Sequence, residues 1–344
     1  MYSKTKLERV LELHRGYDLP ERERKEGNVP IISSSGYSGL HNDCKCDGEN
    51  VITGRYGTIG EVFYHEGKCW PLNTALYVSD FKENNPKYVY YLLKYILKMS
   101  IDGKDKSTVP GVDRNVLHQM EIPFCQDIKE QKELIRILEK LDERIDLNRK
   151  INDNLQQQLC LIYENMMCKA QYGNIEGTFT VASKLTDVVT GKEDANFASP
   201  NGKYKLFTCS NDTLNCDEYV FDSSAILIAG NGDFNVKHYS GKFNAYQRTY
   251  VLIPDHQYYG LLYFASLYQI NSFKSASSGS IVKFITKGDI ENIPVFIPND
   301  EHILNELNRL LALQEKNQAE NEELSSLRDW LLPMLMNGQA SISD

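Results

Sequence analysis

The sequence predicts an α+β chain made of two related mixed modules and two long helices that pair as an antiparallel coiled coil. Three observations predict it: an internal repeat at an offset of 175 residues, a heptad pattern after each module, and asparagines at matching heptad positions. Two related helices paired within one chain imply a pseudo-twofold axis. The predicted segments are 1–126 and 171–298 for the modules and 127–170 and 299–344 for the helices.

The repeat is visible in the order of short segments rather than in identity. Gly27–Ser35 aligns with Gly202–Ser210, and Asn73–Leu76 aligns with Arg248–Val251, both at an offset of 175. A preserved order at one offset indicates two copies of one fold.

Most elements inside the modules are predicted to be short strands, bounded by turn residues. The predicted strands are Val29–Ser33, Val51–Thr53, Gly60–Tyr64, Leu76–Ser79, Leu206–Cys209, Ala225–Ala229 and Arg248–Ile253. Each module also has one apolar helix, at Pro86–Lys98 after the cap Asn85 and at about Gln257–Asn271. We expect Tyr88, Tyr91 and their helical neighbours to belong to the core.

The long helices carry apolar residues that step alternately by four and three, which is a coiled-coil seam. The predicted helix-pairing residues are Leu134, Leu138, Leu141, Ile145, Asn148, Asn152 and Leu155, then Ile303, Leu307, Leu310, Asn317, Asn321, Leu324 and Leu331. The second set follows the first at an offset of 169, and seam asparagines fix register and partner. Asn299 is expected to cap the second helix, and Pro333 to kink it or end it early.

Composition excludes several classes of protein. The net charge is −9, and residues 299–344, with three basic and nine acidic residues, supply −6 of it, so both modules are nearly neutral. The N-terminus lacks the apolar stretch of a signal peptide, and no apolar run approaches membrane-spanning length. Scattered cysteines in such a chain are expected to be reduced. A cytoplasmic protein without a membrane partner is the prediction.

No catalytic group and no metal site is predicted. Gly230-Asn231-Gly232 follows an apolar strand, as in nucleotide and S-adenosylmethionine sites, but strand-like spacing follows where a helix is required. Asn85-Pro86-Lys87-Tyr88 differs from the Asn-Pro-Pro-Tyr motif of amino-methyltransferases and opens a helix. His41, Cys44, Cys46 and Cys69 are candidate metal ligands, yet they lack the second closely spaced pair that zinc sites use.

The remaining candidates are loops rich in side chains that contact base edges and phosphates. The candidate DNA-binding residues are Ser34, Ser35, Tyr37, Arg55, Tyr56, Lys104, Lys106, Ser107 and Thr108 in the first module, and Ser210, Asn211, Asn231, Asp233, Asn235, Gln247, Arg248, Lys274, Ser277 and Ser278 in the second.

The whole chain resembles the specificity subunits of Type I restriction–modification systems. The resemblance rests on Gly54–Gly60, on Trp70–Ala75, on Ile122-Pro123 leading into Glu130-Gln131, on the helix with Leu141 and Ile145, and on the ending Leu331–Gly338. The second module departs from this pattern, because Ala229 and Gly230 stand where Gly54 and Arg55 do and no Trp-Pro pair follows.

The resemblance implies two pseudo-twofold-related target-recognition domains separated by two long helices, each domain reading one half of a bipartite site in double-stranded DNA. It implies no catalysis and no cofactor on this chain. The implied partners are two methyltransferase (modification) subunits and the restriction/translocase subunits, which would hold S-adenosylmethionine, ATP and magnesium.

Helix length is compatible with this interpretation, since about 40 residues span ~60 Å, the scale of one or two turns of DNA. Two alternatives stay open. One is a coiled-coil scaffold that binds only proteins, which would not need two large, divergent, loop-rich modules. The other is a fragment of a DNA methyltransferase, which the absent motifs disfavour.

Overall fold

The computed structural model describes residues 2–56, 60–102, 113–232, 234–276 and 284–340. The chain divides into two compact units, and both boundaries fall inside long helices. Unit 1 comprises residues 1–145 and 322–344, and unit 2 comprises residues 146–321. The predicted α+β class is confirmed, and each unit combines one module with parts of both long helices.

Unit 1 contains nine strands and two short or medium helices among its described residues. These are β1 (Tyr2–Lys6), β2 (Glu12–Arg15), β3 (Val29–Ser33), β4 (Gly36–His41), β5 (Glu49–Gly54), β6 (Val62–Glu66), β7 (Trp70–Pro71), β8 (Ala75–Asp80), α1 (Pro86–Asp102), α2 (Arg114–Gln119) and β9 (Glu121–Cys125). The sheet orders are β2-β8-β5-β6, β4-β3-β7 and β1-β9, and only β3 and β7 pair in parallel.

The core of unit 1 lies where α1 packs on the four-stranded sheet and on both long helices. Pro86 starts α1, and the backbone N–H of Tyr88 donates to Asn85 Oδ1 at 2.9 Å, so the predicted cap is present. Tyr88 is fully buried and Tyr91 nearly so, which confirms their assignment to the core. Burying side chains of this size provides the main stabilisation of the unit.

Unit 2 contains eight strands and two further helices among its described residues. These are β10 (Gly177–Val181), β11 (Val188–Thr190), β12 (Tyr204–Phe207), β13 (Leu214–Cys216), β14 (Phe221–Ala229), β15 (Val236–Ala245), β16 (Thr249–Leu252), α4 (Tyr259–Ala276), α5 (Lys287–Glu291) and β17 (Pro294–Pro298). Its main sheet has the order β11-β16-β14-β15-β12-β13, with β12 and β15 parallel, and β10 pairs with β17.

All seven predicted strands are present; β3 matches its prediction, and the ends of the others are shifted by at most four residues. The predicted strand Leu206–Cys209 ends earlier, at Phe207, because the thiol of Cys209 already donates to the carbonyl of Arg248 in a loop contact. The Gly-x-Gly segment joins β14 to the antiparallel strand β15, as its strand-like spacing predicted.

The long helices are α3 (Ile128–Gln171) and α6 (Glu301–Met336). Asp127 caps α3, accepting from the N–H of Lys129 at 2.7 Å. The expectation that Asn299 caps the second helix is wrong: Asp300 accepts from the N–H of His302 at 2.9 Å, so α6 begins one residue later than that cap would require. Pro333 does not end α6 early, since the helix continues for three more residues to Met336.

Candidate nucleic-acid interface

Three loops of unit 1 meet at Thr74, the residue before β8. The N–H of Ser34, after β3, donates to Thr74 Oγ1 at 3.4 Å. The N–H groups of Arg55 and Tyr56, after β5, donate to the Thr74 carbonyl at 2.9 and 3.3 Å. We call residues 34–35, 55–56 and 73–74 the unit 1 loop cluster. The donors of these bonds are backbone N–H groups, so the side chains of Arg55 and Tyr56 take no part in holding the cluster together.

The side chains of this cluster form a cationic and aromatic surface. The guanidinium carbon of Arg55 lies 4.5 Å from the centre of the Tyr56 ring, and Tyr56 is 46% exposed. Tyr37, at the tip of the β3–β4 hairpin, is 66% exposed, and Ser35 is exposed beside it. A guanidinium held over an aromatic ring is preorganised for planar, bidentate contacts.

Unit 2 has a similar arrangement, within one residue of the repeat offset. The N–H of Gly230 and the thiol of Cys209 both donate to the carbonyl of Arg248, at 2.9 and 3.3 Å. The side-chain amide of Asn235 donates to the carbonyl of Cys209 at 2.9 Å. We call residues 209–211, 230–235 and 247–248 the unit 2 loop cluster. Cys209 and Gly230 align with Ser34 and Arg55 at the offset of 175, and the acceptor Arg248 lies one residue before the equivalent of Thr74, so the two clusters share one plan.

The candidate residues of the unit 2 loop cluster divide into exposed and internally bonded side chains. Ser210, Asn211, Gln247 and Arg248 are exposed. The side-chain amide of Asn235 donates to the neighbouring loop, and the backbone of Asn231 pairs with that of Phe284 in an isolated β-bridge. Ser210, Asn211, Gln247 and Arg248 are therefore the candidate residues of this cluster that are open to a binding partner.

The predicted helix-pairing residues lie between α3 and α6 in both units. The buried residues of this set in unit 1 are Leu134, Leu138, Leu141 and Ile145, and those in unit 2 are Asn148, Leu155, Leu307, Leu310, Asn317 and Asn321. The partly buried ones are Asn152, Ile303, Leu324 and Leu331. Leu304 and Leu332 are buried instead of Ile303 and Leu331, because a helix with 3.6 residues per turn drifts from a 3.5-residue repeat.

The four seam asparagines bond to one another across the helices of unit 2. Asn148 Nδ2 donates to Asn321 Oδ1 at 3.0 Å, and Asn317 Nδ2 donates to Asn152 Oδ1 at 2.8 Å. The later residue of α3, Asn152, pairs with the earlier residue of α6, Asn317, so the two helices are antiparallel there. Gln314 extends this polar layer by donating to the carbonyl of Asn152 at 2.9 Å.

Comparison with known proteins identifies the family. The model of the Type I restriction modification DNA specificity domain matches residues 2–157 and 173–326. The chain belongs to this family.

Two relatives show how far the similarity extends. The specificity subunit of the Type I restriction enzyme EcoDI of Escherichia coli is 39% identical over 163 residues, which cover 45% of this chain and 37% of that protein. A crystal structure of the S subunit of a Type I restriction–modification system from M. genitalium covers 100% of this chain and 97% of its own, with a TM-score of 0.62 and 19% identity, and so shows the same fold.

Seven of the predicted DNA-binding residues lie outside the described residues: Lys104, Lys106, Ser107, Thr108, Asp233, Ser277 and Ser278. Lys274 is described and lies exposed near the end of α4. No described helix is long and apolar enough to cross a membrane.

Sequence reasoning missed three polar side chains of unit 1 near Thr74. Asn73 belongs to the unit 1 loop cluster and its amide contacts the carboxylate of Asp18. Arg15 lies 3.6 Å from the same carboxylate, and Asp18 is 71% exposed. The repeat contained a signal for Asn73, because this residue aligns with the candidate Arg248 at the offset of 175.

The candidate metal ligands occupy different surroundings. His41 Nδ1 accepts from the N–H of Lys25 at 3.1 Å, and its ring meets Trp70 edge-on at 5.1 Å. Cys46 and Cys69 face each other across an isolated antiparallel bridge. Within the described ranges, no group of three or more histidine, cysteine and acidic side chains is arranged to hold a metal ion.

Proposed function

We propose that this chain is the non-catalytic DNA-recognition subunit of a cytoplasmic Type I restriction–modification complex. Each unit reads one half of a bipartite site in double-stranded DNA, and α3 and α6 set the gap and dock two methyltransferase subunits. Restriction/translocase subunits complete the assembly. S-adenosylmethionine, ATP and magnesium belong to those partners, and this chain holds none of them.

The observation that carries the proposal is the occurrence of one loop cluster in each unit with different side chains on it. Backbone bonds to Thr74 in one unit and to Arg248 in the other assemble equivalent loops. The side chains that these loops carry differ, with the partly exposed Arg55 and the exposed Tyr56 in unit 1 and the exposed Gln247 and Arg248 in unit 2. A common scaffold with different reading groups is what recognition of two different half-sites requires.

The residue types match the chemistry of base edges. Arginine pairs with guanine O6 and N7, and glutamine or asparagine pairs with adenine N6 and N7. Serine hydroxyls and backbone N–H groups serve phosphates, which position the protein without specifying sequence. Arg55 and Arg248 are therefore the candidate guanine readers, one in each unit.

Charge favours binding as part of a complex. DNA binding gains affinity from lysine and arginine that neutralise phosphates. The two modules are nearly neutral, and most of the negative charge lies on residues 299–344. We expect this chain alone to bind DNA weakly, and the complex with methyltransferase subunits to bind it tightly.

Arg55→Ala is expected to relax recognition at one base pair of one half-site, at a cost of about 1–3 kcal/mol for the native site. The measurement is binding of the complex with methyltransferase subunits to a set of duplexes, each with one base pair changed. Arg309→Ala is the control, because Arg309 forms a bidentate pair with Glu306 on α6 at 2.8 Å.

The outcomes of this binding experiment distinguish base reading by Arg55 from the alternative of a protein-binding scaffold. Loss of discrimination at one position, with the other half-site unaffected, supports base reading by Arg55. Equal binding of every duplex by the unmodified complex would favour the protein-binding coiled-coil scaffold. Discrimination that Arg55→Ala leaves intact at every position would exclude Arg55 as a reader.

A further inference from the structure

Cys46 and Cys69 of unit 1 are placed as partners for a disulfide. The N–H of Cys46 donates to the carbonyl of Cys69 at 3.1 Å, and the N–H of Cys69 donates to the carbonyl of Cys46 at 2.9 Å. Residues that exchange both hydrogen bonds in an antiparallel pair have Cα atoms about 5.5 Å apart, within the range that disulfides span.

The two thiols differ in access and acidity. Cys46 is partly exposed, whereas Cys69 is fully buried. The adjacent Cys69 thiol lowers the pKa of Cys46, and the adjacent Cys46 thiol together with burial raises the pKa of Cys69. Because the thiolate is the nucleophile, Cys46 is the thiol that reacts first and Cys69 is the resolving thiol behind it.

We propose that Cys46 and Cys69 are a reversible redox site that closes to a disulfide on reaction with a hydroperoxide. The Cys46 thiolate attacks the terminal peroxide oxygen, the O–O bond breaks, and the sulfenic acid forms as the leaving oxygen takes a proton to become water or an alcohol. The Cys69 sulfur then attacks the Cys46 sulfur, and the sulfenic oxygen leaves as water with the Cys69 proton. Both sulfurs are oxidised by one electron each, and the peroxide is reduced by two.

The position of the pair links it to the unit 1 loop cluster. Cys69 immediately precedes β7, and the chain continues from the end of β7 at Pro71 to the turn that contains Asn73 and Thr74. Lys45, beside Cys46, places its ammonium 4.6 Å from the centre of the Trp70 ring. A disulfide would therefore tie the Lys45 turn covalently to the strand that leads into the loop cluster. This site does not depend on the proposed function.

Peptide mapping of the full chain tests the proposal without a variant. The reduced, folded protein is treated with hydrogen peroxide, blocked with an alkylating agent and cleaved by trypsin without reductant. Because Lys45, Arg55 and Lys68 separate the cysteines, the expected product is residues 46–55 linked to residues 69–82. Its mass is two hydrogens below the sum of the reduced peptides, and dithiothreitol removes it.

Cys44 provides the matched control, because it lies close enough to influence Cys69 electrostatically. Cys44→Ser is expected to retain the linked peptide, and Cys46→Ser to lose it. Linkage of residues 69–82 to the Cys44 peptide instead would overturn the proposal. Accumulation of over-oxidised Cys46 without any linked peptide in the wild-type chain would overturn it as well.

Discussion

Replacing Asn148 and Asn321 together by leucine should raise the free energy of unfolding of unit 2 by about 1–2 kcal/mol, because an apolar pair avoids the desolvation of two buried amides. These two side chains bond to each other, and Asn148 Oδ1 is buried without a partner among the described residues. The matched variant Asn148→Leu with Asn317→Leu should instead lower the free energy, because each retained partner amide loses its bond, at about 1–3 kcal/mol each.

Amide hydrogen exchange of peptides from residues 301–321 measures this difference directly within unit 2. The choice of partners comes from the antiparallel geometry, since Asn148 and Asn317 are equivalent in the repeat but do not bond to each other. Equal stability of the two double variants would contradict the observed pairing of the asparagines.

Arg328→Met should lower the stability of unit 1 by about 2 kcal/mol, because it removes a charge-assisted bond from a mostly buried carboxylate. Arg328 Nη1 donates to Asp142 Oδ1 at 2.8 Å, and both side chains are at most a quarter exposed. Tyr91 donates its hydroxyl to Asp142 Oδ2 at 2.7 Å, and burial followed by the Asp142 charge raises the pKa of Tyr91. Of these two donors, the Asp142 carboxylate of the variant would retain the hydroxyl of Tyr91.

Tryptophan fluorescence is a selective probe for this measurement, because the two tryptophans, Trp70 and Trp330, both belong to unit 1. Arg22→Met is the control, since Arg22 belongs to the same unit, its pair with Glu23 is 84% and 57% exposed, and such pairs contribute little. A change in the urea midpoint no larger than that of the control would show that the Asp142–Arg328 bond does not stabilise unit 1.

The repeat, the seam and the apolar helices could be predicted from the sequence because their signals are periodic. Leu134 and Leu138 repeat within one helix, and the asparagines recur at a fixed offset. The strict heptad does not give the depth of burial, since Leu304 and Leu332 are buried more deeply than the predicted Ile303 and Leu331, which pack against the same cores.

Contacts between distant segments could not be predicted in this way. The two-residue strand β7 has no pattern of its own and exists because it pairs with β3. Asn235 has the residue type of a base reader, yet its amide bonds to the next loop. The pairing of Cys46 with Cys69 likewise depends on two distant segments meeting and has no periodic signal.

Genome-wide mapping of methylated bases tests the central claim most directly. It is carried out in cells that express the methyltransferase subunits with the wild-type chain, with Arg55→Ala, or with Arg248→Ala. We predict that the wild-type chain directs methylation of one split motif, that each variant relaxes a different half of it, and that the gap is unchanged. Relaxation of the same half by both variants, or no split motif that depends on this chain, would contradict the account.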